Sequence, residues 1–149
     1  MAECLLKQKL ATRLKCSPPD LEDHGLLVMS AGIQAMTGGR ATPEAVQVMH
    51  DRGLDLSQHE SQPLVDRHAR FADLILTMTR SHREALLQQW PAVASRTEVL
   101  SRDGSDLADP IGGPIESYRR CAEYIDAQLD AWLPEIIELS ASDELKAGA

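Results

Sequence analysis

The sequence predicts an α/β domain in which helices enclose a small parallel sheet. Three short runs, at residues 25–30, 72–78 and 97–100, are mainly apolar, and segments with helical periodicity lie between them. Apolar runs of this length are typical of parallel strands that are covered on both faces. Strands that alternate with helices are the pattern of an α/β domain. Hydrophobic residues make up 43% of the 149 residues, which is enough for one core.

The first half of the chain predicts a helix, a strand and a second helix. Residues 1–15 place leucines near one face of a helix, and the strand at 25–30 follows after a proline-containing turn. A loop fills residues 31–40. Thr42 and Pro43 are typical of a helix start, because threonine caps the first turn and proline suits the first helical position.

The second half predicts five further elements and a tail. In order these are a short helix at 63–71, a strand at 72–78, a helix that is capped by Thr79 or Ser81 and ends at Trp90, a strand at 97–100, and a long helix from 115 to about 133. Continuation of the last helix past Pro134 for a further turn or two is an alternative. A loop at 101–114 precedes the last helix. Together they form one domain, residues 1–139, and the polar segment 140–149 is predicted to be a flexible tail.

Charge and composition restrict the partners that the chain can have. The net charge of −8 disfavours nucleic acid, because phosphate backbones are bound by clustered Lys and Arg. No stretch approaches the ~20 apolar residues that span a bilayer, and the first residues are not those of a signal peptide. Cys4, Cys16 and Cys121 are far apart and odd in number, which is typical of free thiols in the reducing cytoplasm.

The segment Asp109-Pro110-Ile111-Gly112-Gly113 is the most informative motif. In one interpretation it is a turn and a glycine loop before the last helix. In the other, proline keeps Asp109 extended, and its carboxyl group projects into the cleft at the carboxyl edge of the sheet. A single carboxyl group there can serve as a general acid.

Together with Tyr118-Arg119-Arg120-Cys121, this motif resembles the general-acid loop and last helix of bacterial low-molecular-weight protein-tyrosine-phosphatases. Three further segments resemble that family in the same order: Ser30-Ala31-Gly32, residues 53–59 and residues 72–83. Met1-Ala2-Glu3 resembles the residues that directly follow the phosphate loop of these enzymes. The resemblance covers about residues 1–133.

The resemblance implies a three-layer α/β/α fold of flavodoxin-like strand order and hydrolysis of a phosphorylated side chain without metal or cofactor. It gives Asp109 the role of general acid, and it places Ser30 and His59 behind the phosphate loop as supporting residues. Without the resemblance, Ser30 is a hydroxyl in a turn and His59 a half-buried loop histidine. Ile111 replaces an aromatic residue that often lines the pocket mouth, so phosphoarginine is an alternative to phosphotyrosine, on a protein or in a small molecule.

The sequence departs from this family where the reaction takes place. The family pattern is Cys-x5-Arg, in which a thiolate attacks phosphorus and a guanidinium holds the phosphoryl oxygens. Leu10, Glu22 and Ala127 stand six residues after the three cysteines, so the pattern is absent from these 149 residues. We therefore expect the chain as written to be inactive.

Two explanations of this departure are left open. In the first, the protein starts upstream, and the missing segment supplies the phosphate loop and the first strand, which lies in the middle of the family's sheet. In the second, the chain is a non-catalytic pseudophosphatase that binds a partner. A relative of arsenate reductases is a further alternative. Loss of a central strand would leave unpaired edges, so we expect the chain alone to be unstable or prone to aggregation. The sequence does not specify an oligomeric state.

Overall fold

In the part of the chain that the structure describes, five α-helices and a two-stranded sheet make up the fold. In the computed structural model, the backbone is described for residues 1–147 and side chains for residues 1–141. The helices are α1 (Ala2–Leu14), α2 (Pro43–His50), α3 (Asp66–Phe71), α4 (Arg80–Gln89) and α5 (Ile115–Ala147), and the strands are β1 (Ile75–Thr77) and β2 (Thr97–Val99). Two 3-10 helices, Pro18–His24 and Pro91–Arg96, connect them. The helices α1, α2 and α5 pack together, and α4 packs against both strands.

The two strands form a parallel pair, as the sequence predicts. Ile75 lies opposite Thr97, and Thr77 lies opposite Val99. The backbone N–H of Leu100 extends the ladder by donating to the carbonyl of Thr77 at 2.8 Å. Each strand has three residues, which is shorter than the predicted runs 72–78 and 97–100.

The prediction of a strand at residues 25–30 is wrong for this structure. Leu26 donates its N–H back to Leu21 of the preceding 3-10 helix, and the next backbone contacts are those of Ser30. Among the described residues, Leu27 to Met29 have no backbone hydrogen-bond partner. The physical reason is that a strand needs a neighbour paired by backbone hydrogen bonds, and no described segment forms such bonds with residues 27–29.

Local capping signals predicted two helix starts correctly. The side chain of Thr42 accepts a hydrogen bond from the N–H of Ala45 at 3.3 Å, at the start of α2. The side chain of Thr79, rather than Ser81, accepts from the N–H of His82 at 3.1 Å, at the start of α4. Both contacts satisfy backbone donors that the first helical turn leaves unpaired.

The helix predicted at 63–71 begins later, at Asp66. The preceding residues are used for backbone pairing with Gly32, which donates to the carbonyl of Gln62 at 3.0 Å and accepts from the N–H of Leu64 at 2.9 Å. These bonds hold the chain extended, because each peptide group can serve either the bridge or a helical turn. They also fix the loop after Ser30 against residues 60–64.

The last helix is longer than predicted. It runs through Pro134 to Ala147 and so enters segment 140–149, for which the sequence predicts a flexible tail. The flexibility of this segment stays a prediction. Residues 148–149 lie outside the described part of the chain. Trp132 ties this helix to the sheet, because its indole N–H donates to the carbonyl of Leu100 at 2.7 Å in the buried core. Among the described residues, no helix combines the length and apolarity that crossing a membrane requires.

Candidate active site

A partly buried carboxylate on the first helix organises one side of the candidate site. Glu3 lies in the first turn of α1, and its side chain is 18% exposed. Its Oε2 atom accepts two hydrogen bonds from Ser30, from the backbone N–H at 2.9 Å and from the hydroxyl at 2.6 Å. The segment after the unpaired residues 27–29 is thereby attached to α1.

A lysine, a histidine and an amide complete this cluster. The ammonium group of Lys7 lies 2.6 Å from Oε1 of Glu3, and Nδ1 of His59 lies 3.9 Å from Oε2. The side-chain amide of Gln62 donates to the carbonyl of Ser30 at 2.9 Å. Two of the three predicted site residues, Ser30 and His59, are thus brought together around one carboxylate.

The environment of Glu3 favours its ionised form. Burial alone would raise the pKa of this carboxyl group, but the hydrogen bonds from Lys7 and Ser30 act in the other direction. The charges of Lys7 and His59 add to these hydrogen bonds, and the pKa lies below its ordinary value. Glu3 therefore holds the Ser30 hydroxyl as a donor and leaves the lone pairs of that oxygen free to accept a hydrogen bond.

Asp109 lies on the loop between β2 and α5. Its Oδ1 atom accepts from the backbone N–H of Ile111 at 3.0 Å, and the N–H of Gly113 donates to the carbonyl of Pro110 at 2.9 Å. Gly112 between them has φ 75°, a left-handed conformation that side chains disfavour. The aspartate and the isoleucine are both exposed. The turn fixes one carboxylate oxygen and leaves the other accessible for proton transfer.

Contacts with β1 and α4 place this loop at the carboxyl end of the sheet. The N–H of Leu107 donates to the carbonyl of Met78, the residue after β1, at 2.9 Å. Asp106 accepts from the backbone N–H of Arg80 at 2.7 Å and lies 3.3 Å from Nε of the same residue. Ligands of open α/β sheets bind at this edge. The position of Asp109 is therefore compatible with the predicted role.

The loop that carries Asp109 is not bonded to the Glu3 cluster in the described part of the structure. Within the described residues, no hydrogen bond or ion pair joins Asp109 to Ser30 or His59. The charge of Asp109 does reach Cys121: burial raises the pKa of that thiol, the α-ammonium of Met1 opposes the rise, and Asp109 adds to it. Burial is also the main cause that raises the pKa of Cys4. Neither thiol is activated as a nucleophile.

Sequence reasoning missed Glu3 as the residue that joins the supporting groups. The resemblance to the family implied roles for Ser30 and His59. For Met1-Ala2-Glu3 it implied only a position directly after the phosphate loop, and no role for Glu3. An acid in the first turn of a helix is common, because it complements the helix dipole. The available signal was the position of Glu3 at the helix entrance that the resemblance places beside the phosphate loop.

Comparison with known proteins identifies this arrangement. The family model for low molecular weight phosphotyrosine protein phosphatase matches residues 1–143. The chain belongs to this phosphatase family. The probable low molecular weight protein-tyrosine-phosphatase EpsP of Ralstonia nicotianae is 34% identical over 137 residues, which cover 91% of this chain and 86% of that relative. A protein-arginine-phosphatase of Geobacillus stearothermophilus is 32% identical over 71% of this chain and 74% of its own length.

Solved structures of this family have the same fold as the chain. The crystal structure of the low molecular weight protein tyrosine phosphatase from T. tengcongensis superposes with a TM-score of 0.78 at 29% identity, over 90% of this chain and 88% of that one. The arginine phosphatase YwlE from Geobacillus stearothermophilus gives a TM-score of 0.73 at 26% identity. The three-layer α/β/α class predicted from the sequence is confirmed.

Proposed function

We propose that these 149 residues carry the general acid and the supporting scaffold of a protein phosphatase, without the nucleophile. The observation that supports this most directly is the Glu3 cluster, which holds Ser30 and His59 together at the entrance of α1. Asp109 stands separately on an ordered turn at the carboxyl edge of the sheet. A phosphate loop placed between the Glu3 cluster and the Asp109 turn would be supported by the cluster and would have a proton donor at the turn.

The proposed reaction follows from the carboxyl group of Asp109, which is present, and from the Cys-x5-Arg pattern, which these 149 residues do not contain. In the proposed reaction a cysteine thiolate forms a bond to phosphorus, and the bond from phosphorus to the leaving group breaks. Asp109 gives its proton to the leaving group, and then, as a carboxylate, it accepts a proton from the water that releases phosphate. The first step needs a thiolate beside a guanidinium in a Cys-x5-Arg loop, which this sequence does not contain. The chain as written is therefore inactive.

The proposed substrate is a phosphorylated protein side chain, either phosphotyrosine or phosphoarginine. Ile111 follows the Asp109-Pro110 pair and is 70% exposed at the position where an aromatic residue would stack on a phosphotyrosine ring. An aliphatic side chain provides apolar contact without a flat face. Relatives named as arginine phosphatases, at 32% and 31% identity, favour phosphoarginine as much as phosphotyrosine.

A non-catalytic binding protein is the second candidate, and the absent Cys-x5-Arg pattern favours it. The third alternative, an arsenate reductase, requires additional reactive thiols. Cys121 is buried and its pKa is raised, which makes it a poor resolving cysteine. We further propose a cytoplasmic location, because the cysteines are unpaired, and no nucleic acid partner, because the net charge is −8.

Two proteins test the proposed function. The purified 149-residue chain should not hydrolyse p-nitrophenyl phosphate or phosphoarginine above the buffer rate. A fusion that adds the first strand and phosphate loop of the Geobacillus arginine phosphatase before Met1 should hydrolyse at least one of them, and Asp109→Asn should reduce its kcat about 10²–10⁴-fold. A folded but inactive fusion would contradict the proposal. So would activity of the unmodified chain that depends on Asp109.

A further inference from the structure

Asp106 joins the loop of the candidate general acid to the start of α4. Its Oδ1 atom accepts a hydrogen bond from the backbone N–H of Arg80 at 2.7 Å, and the guanidinium Nε of Arg80 lies 3.3 Å from the same oxygen. The N–H of the next residue, Leu107, donates to the carbonyl of Met78 at 2.9 Å. Together these contacts, the Asp106 clip, attach the loop to the segment that follows β1.

The backbone N–H of Arg80 contributes more to this clip than the guanidinium does. The side chains of Arg80 and Asp106 are 69% and 41% exposed, so water screens their ion pair. The N–H belongs to the first residue of α4, where no carbonyl of an earlier turn is available to it. Its hydrogen bond is the main cause that holds the pKa of Asp106 below its ordinary value, and the Arg80 side chain and the charge of His82 add to it. The helix therefore supplies a donor of fixed position to an ionised carboxylate.

The clip lies close to Asp109 in the chain. Only Ala108 stands between Leu107 and Asp109, and two peptide units span at most about 7 Å. On the other side, the turn ends at Gly113, where an added Cβ would lie 3.3 Å from the side chain of Ser117 on α5. The backbone of Asp109 is thus held between α4, through the clip, and α5.

Asp109 presents one oxygen for proton transfer. Its Oδ1 atom accepts from the N–H of Ile111 at 3.0 Å, so the transferable proton is carried by Oδ2. A proton donor must lie within about 2.6–3.2 Å of the leaving-group atom, and a misplacement of about 1 Å can cost about 10²-fold in rate. The direction of Oδ2 depends on the backbone of Asp109, which the clip restrains.

We propose that Asp106 is a positioning residue for the general acid: by accepting the first N–H of α4, it holds Asp109 where Oδ2 reaches the leaving group. This inference rests on the proposed function, in which Asp109 gives its proton to the leaving group as the bond to phosphorus breaks. Asp106 neither touches the substrate nor exchanges a proton. If Asp106 only capped α4, its loss would lower stability and would affect the hydrolysis of all substrates equally.

Two replacements of Arg80 isolate the hydrogen bond. Arg80→Pro removes the N–H, and proline suits both the first position of a helix and the extended backbone of Thr79 before it. Arg80→Ala removes the guanidinium and keeps the N–H. In the fusion that carries the phosphate loop, Arg80→Pro and Asp106→Ala should each lower kcat/KM for phenyl phosphate about 10–100-fold, and Arg80→Ala less than about fivefold. Equal losses in the two Arg80 variants would overturn the proposal.

The leaving group separates positioning from stability. Phenolate is a poorer leaving group than p-nitrophenolate, so hydrolysis of phenyl phosphate depends more on protonation by Asp109. Arg80→Pro and Asp106→Ala should therefore lose about tenfold less kcat/KM on p-nitrophenyl phosphate than on phenyl phosphate, and neither should add to the loss that Asp109→Asn causes. Equal losses on the two substrates would show that Asp106 only stabilises the fold, and would overturn the proposal.

Asp103→Ala is the matched control. Asp103 lies on the same loop but accepts from the N–H of Ser105 within that loop, at 2.9 Å. Its replacement should lower kcat/KM less than about threefold on both substrates. A loss on phenyl phosphate as large as that of Asp106→Ala would contradict the specific role of the clip.

Hydrogen exchange of the 149-residue chain tests the clip without catalysis. Release of the clip should loosen the turn, so the amides of Ile111 and Gly113 should exchange about five- to tenfold faster in Arg80→Pro than in Arg80→Ala. This difference together with an inactive fusion would contradict the proposed function and still support the clip. Equal exchange in the two variants would overturn the clip, whether or not the fusion is active.

Discussion

The carboxylate of Glu3 accepts both hydrogen bonds that Ser30 can donate, at 2.9 Å from the backbone N–H and 2.6 Å from the hydroxyl. The two residues join the first turn of α1 to the end of the unpaired segment 27–29. Because His59 and Lys7 also lie beside the same carboxylate, one side chain holds three parts of the chain together. The order of the candidate site therefore depends on the charge of Glu3.

Replacing this carboxylate should destabilise the protein more than replacing an exposed one. Glu3→Gln keeps the size of the side chain but loses the negative charge, so the contacts with Ser30 and Lys7 weaken. We expect a loss of about 1–3 kcal/mol in the free energy of unfolding, measured by urea denaturation. Glu84→Gln on α4 is the control, since among the described residues Glu84 has no ion pair, and its effect should lie within about 0.5 kcal/mol. Equal losses in both variants would contradict the role of Glu3.

The same carboxylate should make stability depend on acid pH. The pKa of Glu3 in the folded protein lies below its ordinary value of 4.5, so the folded state binds this proton more weakly than the unfolded chain does. Its contribution is therefore complete above the ordinary value and is lost as the pH falls through the lowered pKa. Urea denaturation of the native chain and of Glu3→Gln from about pH 6 to pH 3 should show the two converging in acid. A constant difference across this range would contradict the prediction.

Local signals in the sequence were sufficient for two helix starts and for two of the three expected strands, but not for the strand at 25–30. The caps at Thr42 and Thr79 were predictable because each donor lies three residues from its acceptor. The strand expected at 25–30 did not form, because strand formation depends on pairing with a neighbour that is not encoded in the local sequence. Apolar composition alone could not show that this neighbour would be absent from the described residues.

The candidate site was also predictable only where local sequence determines the structure. Asp109 sits in a turn that is set by its own motif, so its position after β2 followed from the sequence. The hydrogen bonds between Glu3 and Ser30 join residues that are 27 positions apart in sequence, so no local pattern predicts them. Resemblance supplied Ser30 and His59 as separate residues, and only the fold showed that one carboxylate unites them.

The buried cysteine, Cys121, should react slowly with alkylating reagents. Burial raises the pKa of Cys121, and that residue is also sterically protected in the α5 core. Because the thiolate is the reactive form, iodoacetamide at neutral pH should modify Cys121 at least about tenfold more slowly than the partly exposed Cys16. Mass spectrometry of digested protein would follow each site, and labelling in urea would serve as the control. Rapid modification of Cys121 in the folded chain would show that it is an accessible thiol.

The unpaired edges should leave the 149-residue chain with little stability. Each backbone group that is buried at such an edge without a partner costs about 1–3 kcal/mol, exposed apolar residues at the edge favour aggregation, and a whole domain is stable by only about 5–15 kcal/mol. We expect thermal unfolding that begins below body temperature or is followed by aggregation. Leu27→Lys should reduce that aggregation without lowering the midpoint, because the leucine is 70% exposed and charged residues on an edge prevent intermolecular pairing. Phe71→Lys, at an 83% exposed position on α3, should change aggregation less. A reversible, cooperative transition well above body temperature in the unmodified chain would contradict this account.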